Sequence, residues 1–183
     1  MQKIAKFIYF KIIKWKLVGD FPEVDKCVMI VVSHTSYVDF FLGLLVRKVW
    51  NKEINFIGKE SLFKFPLIGW YLKWVGGAPI VRDKKSDTVA AIANIFKTKK
   101  VFRLSLTPEG TRKKVTEWKT GFYYIAKLAQ VPVVMVAFDF KHKQIKISQA
   151  YFTTDDKEAD LKIYKSFFKG VVGRIPEKSY KVE

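Results

Sequence analysis

Apolar positions along this chain fall into two rhythms. Short unbroken apolar runs, Val28 to Val32, Ala78 to Val81 and Val133 to Phe138, have the length and density of strands buried on both faces, and Phe102 to Leu106 reads as another strand. Ile54 to Gly58 reads as a further strand and Lys143 to Ile147 as a more exposed one. Between them lie segments of helical spacing. One starts at Tyr37, and others cover Leu67 to Val75, Ser86 to Lys99 with Ser86 as its cap, Thr120 to Gln130, and Asp156 to Val172. Alternation of strand and helix without repeats or an obvious linker predicts an α/β fold: a single domain with a mixed sheet flanked by helices.

The first eighteen residues follow neither rhythm cleanly. At helical spacing Ile4, Ile8, Ile12 and Trp15 share a stripe, while Lys3, Lys6 and Lys14 flank it, and Phe10 and Ile13 fall outside it. This predicts an amphipathic, membrane-associating helix over residues 1–18, with the α/β domain in 19–183; a helix docked on the domain's own core is the alternative. No uncharged core precedes a small-residue cleavage site, so no signal peptide is expected. Cys27 to Val46 is long and mostly apolar, but His34, Ser36 and Asp39 in its middle would be costly in lipid, so no spanning helix is expected either. Peripheral attachment on the cytoplasmic side of a membrane is the expectation that remains.

The strand Val28 to Val32 runs into His34-Thr-Ser-Tyr-Val-Asp39, placing an imidazole and a carboxylate where a buried strand gives way to a helix. A neutral imidazole is the commonest proton acceptor near pH 7. A carboxylate on its other nitrogen fixes the tautomer and stabilises the imidazolium. Ser36 and Asp39 also satisfy a Ser-x-x-acid capping box, which would start the helix without any catalysis. The only other histidine, His142, lies in Lys141-His-Lys143, a charged turn, and a helix N-terminus beside His34 favours its neutral form.

Composition narrows the partners. The 183 residues are 49% hydrophobic, enough for a substantial core, and a net charge of +17 points to an anionic partner or surface. Nucleic acid, anionic lipid and phosphorylated substrates all fit charge alone, yet no helix-turn-helix, zinc or RNA-binding sheet signature accompanies it. Cys27, the single cysteine, opens an apolar strand and reads as a small buried thiol rather than a nucleophile or half of a disulfide.

Two further strand ends carry chemistry. Phe102 to Leu106 leads into Thr107-Pro-Glu-Gly-Thr-Arg112, where Gly110 permits a tight turn and Thr111 and Arg112 can bind an oxyanion. Ala78 to Val81 leads into Arg82 at an equivalent place. A surface salt bridge such as Arg82 to Glu109 is the bland explanation, but it leaves the repeated strand-end placement unexplained.

With these residues the chain resembles the glycerolipid acyltransferases typified by bacterial 1-acyl-sn-glycerol-3-phosphate acyltransferase. The histidine and aspartate separated by four residues match His34 and Asp39. The glycine-led strand ending in arginine matches Gly77-Ala-Pro-Ile-Val-Arg82, Pro-Glu-Gly-Thr-Arg matches Pro108 to Arg112 without a gap, and a Val-Pro pair opening an apolar strand matches Val131 to Val136. Order and spacing agree over about Val28 to Asp139. Departures are Ser33 where asparagine commonly precedes the histidine, Tyr37-Val38 inside the first motif, and Lys113-Lys114 after the third.

The resemblance implies an α/β acyltransferase in which His34 and Asp39 activate a substrate hydroxyl against an acyl thioester, either acyl-CoA or acyl carrier protein. Arg82, Glu109, Gly110, Thr111 and Arg112 would hold the glycerol phosphate of a lysolipid such as 1-acylglycerol-3-phosphate. No metal or resident cofactor is expected, and the anionic partner becomes a membrane surface rather than nucleic acid. Direct transfer suits the residues: the chain has no Gly-x-Ser-x-Gly elbow, and its Ser61-x-x-Lys64 and Ser166-x-x-Lys169 matches are expected by chance in so lysine-rich a sequence. A lyso-aminolipid acceptor, a hydrolase using His34 and Asp39 on water, and a nonenzymatic basic module binding membrane or nucleic acid are the alternative readings.

Overall fold

A computed structural model describes residues 1–80 and 85–181. Seven strands form one sheet: β1 (Lys16–Val18), β2 (Lys26–Val32), β3 (Asn55–Lys59), β4 (Gly77–Ile80), β5 (Phe102–Leu106), β6 (Val133–Asp139) and β7 (Gln144–Ile147). Their order in space is β1-β7-β6-β2-β5-β3-β4. Every pairing is parallel except the β6–β7 hairpin, which makes the sheet mixed, as its sequence implied.

The central strands show why continuous apolar runs were needed. Along β2, Val28, Ile30 and Val32 face one core and Cys27 and Met29 the other; along β6, Val133, Met135 and Ala137 alternate with Val134, Val136 and Phe138 in the same way. A strand's side chains alternate between faces, so a strand covered on both sides must be apolar at every position. One core is completed by α5 (Lys85–Thr98), α6 (Gly121–Ala129) and α7 (Lys157–Phe167), through Phe96, Phe122 and Tyr164 among others. The other is closed by α1 (Gln2–Phe7) and α2 (Val38–Trp50), through Tyr9, which follows α1, and Leu42 and Val46 of α2. Two short helices, α3 (Glu60–Phe63) and α4 (Pro66–Trp74), fill the crossover between β3 and β4. Arg47 of α2 fastens that crossover by donating to the carbonyls of Ile54 and Val75.

The N-terminal segment differs in detail from its periodicity. The α1 helix continues as a π-helical turn over Ile8–Ile12 and stops before Lys14, which takes a φ of 56°. Residues 16–18 then join the sheet as β1, beside β7. Ala5, Tyr9 and Trp15 are buried, and the Tyr9 hydroxyl donates to the carbonyl of Lys16 at 3.0 Å. Ile4, Phe7 and Ile12 stay exposed, so one side of the segment docks on the core while another presents apolar side chains outward. The closing helix is shorter than expected, ending at Phe167 shortly before Gly170 turns the backbone to a φ of 79°. Among the described residues no helix is long and apolar enough to cross a membrane.

Candidate active site

Because β2 and β5 are adjacent and parallel, their carboxyl ends emerge side by side. Ile30 pairs with Leu106, so the residues beyond each strand, Ser33-His34 and Thr107 to Glu109, run on together. Ligand sites in such sheets collect at the carboxyl ends of the strands. Here the juncture is tied by one bond: the backbone N–H of His34 donates to Glu109 Oε2 at 2.8 Å. Two motifs 75 residues apart in sequence are thereby locked in register.

The His34 side chain is about one-fifth exposed, and its Nδ1 lies 3.3 Å from Asp39 Oδ2, on a carboxylate that is almost completely buried. The same Oδ2 accepts the backbone N–H groups of Thr35 and Ser36, both at 2.8 Å. One oxygen of Asp39 thus makes the capping-box contact to the Ser36 N–H and also lies beside the imidazole. Ser36 supplies a shorter-range turn instead of the full box, its Oγ accepting the N–H of Val38 at 3.2 Å.

Glu109 is buried and holds the His34 backbone. Burial pushes its carboxyl up to about 7, the His34 N–H lowers it, and the nearby Asp39 charge raises it again. A carboxyl raised above its ordinary value of 4.5 binds its proton more tightly in the folded state, so the folded protein should lose stability as pH rises from about 4.5 to about 7 and level off above. Glu109→Gln should abolish that slope. Urea unfolding at stepped pH checks this, and parallel slopes in both proteins would disprove it.

Gly110 takes a φ of 63°, and its N–H closes a turn on the Thr107 carbonyl at 3.0 Å. A Cβ there would meet Lys119 Cδ at 2.8 Å, so the glycine also lets that lysine lie against the loop. The Thr111 hydroxyl accepts the N–H of Lys113 at 3.2 Å, shaping the loop. Arg112 stacks its guanidinium 4.0 Å over the Tyr37 ring, has its Nε buried without a hydrogen-bond partner, and makes no ion pair among the described residues. Arg82 lies outside the described residues. Gly77, which opens its strand, leaves no room for a Cβ, which would meet Leu72 O and Phe56 Cζ at 2.7 Å.

His34, Asp39, Gly110 and Arg112 share one cavity of about 1670 Å³ whose remaining wall is mostly apolar, from Phe40 and Leu44 of α2 through Ile68 and Leu72 of α4 to Phe122 of α6. Sequence reasoning passed over Tyr37 and Lys119, which also line it. Tyr37 sat in plain view as a departure from the first motif, whereas nothing in the local pattern singled out Lys119. The second histidine is elsewhere: His142 Nδ1 is 2.6 Å from Asp139 Oδ2 in the β6–β7 turn. Burial alone would raise Asp139, but the hydrogen bonds from His142 and Gln144 outweigh it and hold that carboxyl below its usual range. Cys27 is fully buried, and burial pushes its thiol up to about 12.

A mixed α/β sheet with a histidine–carboxylate pair and a Pro-Glu-Gly-Thr-Arg loop at adjoining strand ends is the arrangement expected of an acyltransferase. The chain belongs to the acyltransferase family, whose model matches residues 16–139. It is 29% identical over 119 residues to a chloroplastic 1-acyl-sn-glycerol-3-phosphate acyltransferase of Brassica napus, covering 63% of this chain and 33% of that one. To the 1-acyl-sn-glycerol-3-phosphate acyltransferase of Streptococcus pneumoniae it is 28% identical over 120 residues, covering 64% and 43%. Matches of this kind span about a third to under half of the relatives' length. The crystal structure of the 1-acyl-sn-glycerophosphate acyltransferase PlsC from Thermotoga maritima shares the fold, with a TM-score of 0.63 at 21% identity over 91% of this chain and 74% of that one.

Proposed function

We propose that this chain is an O-acyltransferase that moves a fatty acyl group from an acyl thioester, acyl-CoA or acyl carrier protein, to the free hydroxyl of a lysolipid. The acceptor is 1-acylglycerol-3-phosphate and the product phosphatidic acid, made by a peripheral protein on the cytoplasmic side of an anionic membrane. The observation that carries the reading is the union in one cavity of the His34–Asp39 pair, an arginine without an ion-pair partner among the described residues, and a long apolar wall. Names of the similar proteins in Brassica napus and Streptococcus pneumoniae support the same acceptor.

In this mechanism His34 takes the proton of the acceptor hydroxyl as its oxygen attacks the thioester carbonyl. The tetrahedral adduct collapses, the carbon–sulfur bond breaks, and the imidazolium returns the proton to the departing sulfur. Asp39, 3.3 Å from Nδ1, stabilises the imidazolium in between. No protein nucleophile is consumed. Arg112 binds the acceptor phosphate, and the apolar wall receives acyl chains.

Mass spectrometry of products from purified protein given a lysolipid mixture and both donors tests the reading. Phosphatidic acid is the expected product. Free fatty acid without an acylated lipid would indicate a hydrolase, and transfer confined to a lyso-aminolipid would replace the acceptor. Arg112→Ala should raise the KM for a phosphate-bearing acceptor roughly 10- to 100-fold, as expected for loss of a charge-assisted contact, and leave that of the donor nearly unchanged. Equal rises in both constants would reject the phosphate role.

A further inference from the structure

We infer that the α3–α4 crossover is a membrane-docking platform that seats on an anionic lipid leaflet and opens the cavity directly to it. The inference takes from the proposed function only that the cavity receives a lipid. In sequence, α4 is Pro-Leu-Ile-Gly-Trp-Tyr-Leu-Lys-Trp, with Lys73 its only charged residue. A helix apolar on every side is normally enclosed by protein or lipid. Here only Gly69 is buried, while Leu67 is 84% exposed and Trp70 and Trp74 are each 68% exposed.

Three observations identify the cover as lipid. Trp70 and Trp74, one helical turn apart, stack with ring centroids 6.2 Å apart and planes within 5°, presenting a flat pair of indoles of the kind that settles at a membrane–water boundary. The apolar surface is also continuous with the cavity. Leu62 and Ile68 are about half exposed and Leu72 partly so, yet all three line the same space as His34, as does Phe41, which is 63% exposed on α2. Apolar side chains of the platform thus form part of the wall of the cavity that holds the histidine. Charge then separates a bilayer from a second copy of the chain: Glu60, the one acid on these helices, is paired with Lys64 at 3.4 Å, Lys73 stays exposed, and two chains of net charge +17 repel each other whereas an anionic leaflet attracts them. A helix of nine residues, about 13 Å long, cannot span the bilayer and lies in its plane.

The test compares wild type with Trp70→Glu/Trp74→Glu in co-sedimentation with vesicles of increasing phosphatidylglycerol content. Neither indole lines the cavity. Partitioning of the variant should fall by on the order of tenfold or more. Its transfer to a water-soluble short-chain lysolipid should match wild type. As a measurement independent of the variant's folding, brominated lipids should quench wild-type tryptophan fluorescence, because Trp15 and Trp118 are buried while Trp70 and Trp74 are the most exposed tryptophans. Trp70→Phe/Trp74→Phe should lose most of that quenching. Equal vesicle binding by wild type and the glutamate variant, absence of quenching, or loss of binding only in Ile4→Glu/Phe7→Glu on α1 would each overturn the inference. So would self-association of wild type that the glutamate substitutions abolish without vesicle binding. If neither protein transfers acyl groups but wild type alone binds vesicles, the proposed function fails and the docking surface stands.

Discussion

Replacing His34 by alanine is expected to slow acyl transfer by on the order of 10²- to 10⁴-fold, the usual worth of a positioned general base. The fold should survive, because the tie from this residue to Glu109 runs through its backbone N–H, which alanine keeps. The side chain itself is partly exposed at the cavity wall, so its loss opens little core. The effect should fall on kcat, with acceptor and donor KM values moving far less, since the proposed function assigns binding to the arginine and the apolar wall. Steady-state kinetics with both substrates varied checks this; a kcat within a few-fold of wild type would remove His34 from the chemistry.

Asp39→Asn is expected to cost a comparable factor, for a different reason. The asparagine oxygen can still accept the Thr35 and Ser36 N–H groups that Asp39 Oδ2 now accepts at 2.8 Å, so the helix start should hold. The same oxygen lies beside His34 Nδ1, so the imidazole keeps its neighbour but loses the charge that stabilises the imidazolium as it forms. Asp39→Ala should lose activity and stability together, because the buried Thr35 N–H is left without a partner at a cost of about 1–3 kcal/mol. Thermal unfolding beside kinetics separates the two: a fully active Asp39→Asn would show that the carboxylate only starts the helix.

How much of this was legible depended on whether the cause was local. Strand β5 begins and ends where its strand pattern does, and β2, β3, β6 and α6 differ from their patterns by a residue or two, because a strand packed in a sheet and a helix with one apolar face write their period into the sequence. Three residues, Lys16–Val18, are too few to carry a period, and β1 exists only through its pairing with β7 more than a hundred positions away. In the site, the His34–Asp39 pairing was readable from spacing across a strand-to-helix junction. The role of Glu109 was not: it depends on β2 and β5 being neighbours, and the sequence suggested contact with the acceptor or an arginine where the structure has a hold on the His34 backbone. Thr111 accepts the Lys113 N–H within its own turn, a local bond the sequence did not announce and one that leaves its O–H as a donor. The α4 helix was legible as a helix, but its lack of a polar face gave no sign of how much of it would stand in the open.

The buried state of Cys27 has a consequence for handling the protein as well as for its chemistry. A reactive thiolate beside an acyl thioester would capture the acyl group itself, and the thiol released by transfer could join it in a mixed disulfide under oxidising conditions. With its only cysteine enclosed between the sheet and α2 and held as the neutral thiol, the chain is protected against both losses. It is equally silent toward maleimide labels. A cysteine introduced at Leu67, 84% exposed on α4, would therefore be the sole reactive site in the folded molecule, ready for a polarity-sensitive dye without first removing the native residue.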